Sequence, residues 1–229
     1  MKKLAFILFT LLLSSSIYAQ NLQAHYDLGK DRKYLTTTVE YFHPDKTGNT
    51  YFFIDMDYGS GDNEGVSLAY WEIARAFLLG HSPIALHIEY NGGFGQYKTN
   101  SDYAAYQIND AWLGGLEYEW NSANFSKGIT FQGMYKYIRG KNEISFQTTV
   151  VWYLNFLHNK LRFDGFADFW REDNMANSVD QTKFIFLSEP QIWYNITNQL
   201  AVGSEIEISS NMYTKGWRVN PTIAAKWTF

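Results

Sequence analysis

Acidic side chains recur two residues apart through much of this 229-residue chain: Asp55 with Asp57, Glu117 with Glu119, and Glu205 with Glu207. Glu89 and Asp168 stand in similar settings, with apolar neighbours on both sides. A spacing of two puts both members of a pair on one face of a β-strand. The same parity places Phe42, Phe53, Tyr153 and Trp170 among these acids, together with the cations Arg162 and Arg218. Carboxylates accept hydrogen bonds from hydroxyls and amines, and aromatic faces stack on planar rings. The combination suits a small polar solute that carries a flat ring and several hydroxyls. The plainer alternative is that these charged residues brace a wall, since structural ion-pair networks use the same residue types.

Catalysis is not expected. The chain has no Cys and no GxSxG, HExxH or P-loop pattern. A lipid-modifying barrel enzyme would need a Ser, a His and an orienting polar group together. His43, His81 and His158 stand at or beside turns, and none forms a His-x-Ser pair. Acid pairs on a strand can in principle take Ca²⁺, but at this spacing they read as a polar strand face. No cofactor and no metal site is expected.

The elements that position these residues are strands. Alternating segments run over residues 22–28, 34–43, 50–58, 66–79, 84–94, 107–120, 128–138, 143–157, 160–170, 183–195, 200–210 and 216–229. Turn clusters rich in Gly, Asn, Asp and Pro separate them, such as the run from Pro44 to Asn49. Only residues 71–79 also admit a helical reading. Glu72 and Arg75 there have opposite parity, so they cannot share a strand face without a bulge. The two longest polar connections are residues 95–106 and 171–182.

About twelve strands of this length suit a transmembrane antiparallel up-and-down β-barrel. A soluble barrel would turn the apolar faces inward, whereas a membrane barrel turns them to lipid. Three features favour the membrane. The strands are long. Aromatics such as Tyr26, Tyr41, Trp120, Tyr194, Trp217 and Trp227 sit at strand ends, where interfacial girdles lie. The polar faces mix carboxylates with Arg, Lys and aromatics, as a lined channel does. A mean hydropathy of −0.31 excludes a helical membrane protein but not a barrel, which hides its polar half inside. A net charge of −4 argues against nucleic acid as a partner.

Residues 1–19 read as a signal peptide. Lys2 and Lys3 precede an apolar run over residues 4–13, and small residues lead to a cut after Ala19. Residues 20–229 then form the barrel. The final strand ends at Phe229, as outer-membrane barrels of Gram-negative bacteria usually end. The expected partners are outer-membrane lipid, the barrel-assembly machinery acting through that strand, and small solutes. With both termini on the periplasmic side, the two longest connections would be outer loops.

Four stretches carry a resemblance: YLTTTVEYF (residues 34–42), YFFIDMDYG (51–59), SLAYWEIARAF (67–77) and the closing GWRVNPTIAAKWTF. On them the chain resembles a short branch of the Tsx-type nucleoside-specific channel family of the outer membrane. Glu72, Ile73 and Arg75 match the Glu-Ile-then-Arg pattern of that family's fourth strand. The resemblance implies a twelve-stranded barrel that passes nucleosides between aromatic and ionisable lumen residues. Phe53, Asp55 and Asp57 are the candidates nearest by position. The chain is shorter than the enterobacterial members, with tighter outer loops. A barrel of the same kind that does not transport would instead act as a structural, adhesive or receptor protein through those loops.

Overall fold

Wherever polar and apolar residues alternate, the chain extends and pairs with its neighbour. The strands are β1 (Gln20–Asp27), β2 (Leu35–Asp45), β3 (Gly48–Tyr58), β4 (Val66–Leu78), β5 (Ile84–Lys98), β6 (Tyr103–Asn121), β7 (Lys127–Ile138), β8 (Ser145–Phe156), β9 (Leu161–Ala176), β10 (Asp180–Ser188), β11 (Gln191–Asn195), β12 (Leu200–Ser210) and β13 (Trp217–Thr228). The computed structural model describes residues 20–30, 32–59, 63–100, 102–141, 144–176 and 179–229, with the side chain of Asn109 excepted. The expected signal peptide, residues 1–19, lies outside the described residues, as do parts of the turns at 59–63 and 139–142.

Sequential strands pair antiparallel, except that β10 and β11 both lie between β9 and β12, and β1 returns to β13 from Asn21↔Thr228 to Asp27↔Thr222. The sheet therefore closes and leaves no edge strand. β10 and β11 are two parts of one strand, broken at Glu189 and Pro190, which makes a closed barrel of twelve. Proline has no N–H to give the ladder. Opposite the break stands Gly165, at φ +148°, where a Cβ would lie 2.5 Å from the Glu189 carbonyl oxygen. The chain bulges at this point, and ladder bonds resume through Ile206 N–H to Pro190 O at 3.0 Å.

Period two assigns the faces. Leu86, Ile88, Leu116, Phe131, Val202 and Ile223 point outward and are exposed. Gln23, His25, His87, Glu89, Glu117, Gln147 and Asp168 point inward and are buried. Soluble monomers do not show so continuous an apolar exterior, and a membrane barrel requires one. Two ion pairs on this exterior lie near its rims: Arg75 with Asp45 at 2.8 Å, and Arg139 with Asp110 at 3.3 Å. The aromatics Tyr26, Trp120, Tyr194, Trp217 and Trp227 lie on the same exterior.

Strand four is settled by its register. Glu72 pairs opposite Phe53 and faces in; Ile73 is exposed, and Arg75 reaches the outward-facing Asp45. The residues that also admitted a helix are strand throughout β4. One expectation fails. Residues 95–106 and 171–182 are not long loops, because β5 and β6 run on to Lys98 and from Tyr103, and β9 and β10 to Ala176 and from Asp180. These hairpins extend the wall at the end opposite the termini, called the far end below. With polar residues on both faces, they carry no period-two signal, although strand pairing runs through them.

Candidate functional site

The interior is lined in three levels, each assembled from neighbouring strands. At the far-end mouth, Arg32 and Tyr34 follow β1, Asp57 lies one residue before the end of β3, and Tyr97 and Tyr106 rise on β5 and β6. With Tyr213 and Arg218 they line a cavity of about 360 Å³. Arg32 turns inward, and its Nη1 donates to Glu207 at 2.7 Å and to Asp27 at 3.1 Å. Its guanidinium lies 5.2 Å from the Tyr213 ring centroid. Burial disfavours the Arg32 charge, but Glu207, by charge and a hydrogen bond, together with Tyr213 and Tyr34 outweighs this, so the group is held above its ordinary pKa. Burial, then Glu207, raises the Tyr213 hydroxyl above its own.

The middle level holds Phe53, Asp55, Glu89, Asp168, Trp170 and Glu205. Thr36 donates to Asp57 at 2.6 Å and Thr38 to Asp55 at 2.5 Å, each pair directly opposite across β2 and β3. On the other wall Lys136 donates to Gln147 at 2.7 Å, Gln147 to Thr149 at 3.2 Å, and Thr149 to Asp168 at 2.6 Å. The Lys136 ammonium sits 4.7 Å from the Trp170 ring centroid. Gln191 donates to Glu205 at 2.6 Å. Phe53 lies between Tyr51 and Tyr70, at centroid distances of 6.1 and 6.0 Å.

At the level nearest the termini stand Phe42, Glu117, Tyr153 and Arg162. His87 contacts Glu89 at 3.0 Å and Glu117 at 2.9 Å through its two ring nitrogens. Gln132 also donates to Glu117, at 2.9 Å. Arg162 bonds Asp164 at 2.5 Å and covers the Tyr153 ring at 5.2 Å. Tyr153 in turn donates to Asn121 at 2.7 Å. Lys226 lies over the Trp193 ring at 4.0 Å.

All twelve candidate residues face the interior, but they form three levels rather than one pocket. Phe42, for example, is far along the wall from Arg218. Sequence parity missed several contributors. Arg32 and Tyr213 come from connections, where no strand period applies, and Tyr34, which opens the alternating segment 34–43, stands just ahead of β2. Glu189 stands at the strand break. Tyr51 shares its parity with Phe53 and Asp55, whereas Tyr70 lies on strand four, whose facing only the register decides. The acid pairs do not gather as ligands: among the described residues no group of three or more His, Cys, Asp or Glu could hold a metal ion.

A family model described as "Domain of unknown function (DUF5020)" matches residues 19–229. No curated protein matches the chain. Among solved structures, the NanC porin is similar with a TM-score of 0.58 and 9% identity, covering 92% of this chain and 100% of that one. The KdgM porin is similar with a TM-score of 0.51 and 8% identity, covering 92% and 98%. KdgM was also solved in complex with disordered oligogalacturonate, with the same similarity. At these identities the likeness establishes the porin fold. Neither the family description nor these porins' names point to the Tsx-type family.

Proposed function

The chain belongs to the DUF5020 family, whose description names no function, and from its lumen we propose an outer-membrane channel for passive diffusion of small polar solutes. One observation carries the reading: a mouth cavity of about 360 Å³, within the range of small-ligand sites, opens between tyrosines and charged groups. Below it the same chemistry continues through two further levels. Several weak sites in series let a solute enter and leave, as conduction requires. Nucleosides are the favoured class. Tyr97, Tyr106, Phe53 and Trp170 offer ring faces to a base, and Asp55, Asp57, Glu89, Glu117, Asp168 and Glu205 offer acceptors to ribose hydroxyls. Export through a signal peptide cut after Ala19, and assembly by way of the strand ending at Phe229, complete the proposal.

A second reading draws on the ion pairs of the interior. Arg32 tied to Asp27 and Glu207, and Arg162 tied to Asp164, would also suit a closed barrel that acts through its far-end hairpins. Flux into liposomes holding the purified barrel separates the two. Uridine and adenosine should enter saturably and faster than sugars of similar size. An oligogalacturonate arm tests the solute named with the KdgM porin. Equal, unsaturated entry of every solute would leave a general pore, and preference for the acidic oligosaccharide would replace the nucleoside reading.

A further inference from the structure

Carboxylic side chains gather around the middle of the lumen. Glu72, Glu89 and Asp168, from β4, β5 and β9, form one group within electrostatic reach of each other, and Asp55, Glu189 and Glu205, from β3, the strand break and β12, form a second. Tyr51 is in electrostatic reach of Glu72 in the first group and of Asp55 and Glu189 in the second. Lys136 and His87 answer the first group, and Arg32 and Lys226 reach the second. Lys136 is already bonded to Gln147 and seated on Trp170. His87 is held between Glu89 and Glu117.

A second observation points to a missing donor. Glu89 is 7% exposed and Asn91 is 3% exposed, both inward on β5. Glu89 Oε1 and Asn91 Oδ1 accept no hydrogen bond from any described group of the chain. Asn91 stands directly opposite Glu72 across β4 and β5. Buried acceptors without donors are costly, and an ion or solute that brings donors relieves them. The acids are spread around the wall rather than gathered into a metal cage, so the belt acts through its field on something passing.

We propose that this belt is a cation subsite, formed by Glu72, Glu89, Asn91 and Asp168, and that the channel passes cations in preference to anions. Its solutes would be neutral molecules and those bearing a protonated amine, with acids disfavoured. The inference rests on the channel reading and adds a charge class to it. Rings of carboxylates select cations by this means, because each oxygen can replace part of an ion's hydration.

The test is the reversal potential of the purified barrel in planar bilayers under a KCl gradient at about pH 8. The expected result is a K⁺ over Cl⁻ permeability ratio of about threefold or more. Glu89→Gln with Asp168→Asn should bring the ratio toward one. Glu72→Gln alone should lower it and covers the case in which the double variant does not fold. A wild-type ratio at or below one overturns the inference and leaves the channel reading standing. So does a ratio unchanged in folded variants. A folded barrel that conducts no ions overturns both.

Discussion

Arg32 shows how a single side chain serves the mouth. It is drawn in from a connection by two carboxylates, Asp27 and Glu207, whose side chains are nearly buried. Arg32→Met would leave both acids uncompensated, and loss of one partner of a buried pair costs about 3–5 kcal/mol. Urea unfolding in detergent should show that loss, whereas a shift within error would mean the acids find other donors. Trp170 separates bracing from contact. Trp170→Ala and Asp55→Asn should each change solute preference while the folded form still migrates as a heat-modifiable band. If both impair folding and neither alters preference, the lumen network is bracing only. At this scale the sequence disclosed which way side chains point but not what they touch. Parity alone put Asp55 and Asp57 inside, but their Thr38 and Thr36 donors depend on the register between β2 and β3.

Between residues and molecule, the strand broken at Glu189 and Pro190 is the least regular element. Gly165 makes room for it from the facing strand. Gly165→Ala would place a Cβ against the Glu189 carbonyl at a strained φ, with a cost of about 1–3 kcal/mol. A lowered unfolding midpoint with retained heat-modifiability is the expected outcome; an unchanged midpoint would mean the bulge relaxes freely. The element pattern was legible where the two strand faces meet different surroundings. All twelve strands were readable for that reason, including the last, from Trp217 to Thr228. It was not legible in the far-end hairpins, where neither face needs to be apolar. Tyr97 and Tyr106, with centroids 6.4 Å apart, face each other there without any periodic signal around them.

For the whole molecule, the outward apolar surface and the polar interior are one consequence of closure. A barrel has no edges to satisfy, so its two faces can be given wholly to lipid and to solute. Leu116 lies exposed on that exterior, well inside the ends of β6. Leu116→Arg should destabilise the barrel in liposomes by about 2–4 kcal/mol and much less in detergent. Equal effects in both would argue that lipid does not cover this face. The central claim is that the interior is an open but narrow path. Osmotic swelling of liposomes carrying the folded barrel measures this most directly. The account predicts rapid swelling with a small neutral monosaccharide and much slower swelling with a trisaccharide. No swelling with either, from protein shown to be folded by heat-modifiability, would contradict it and move the function to the far-end hairpins.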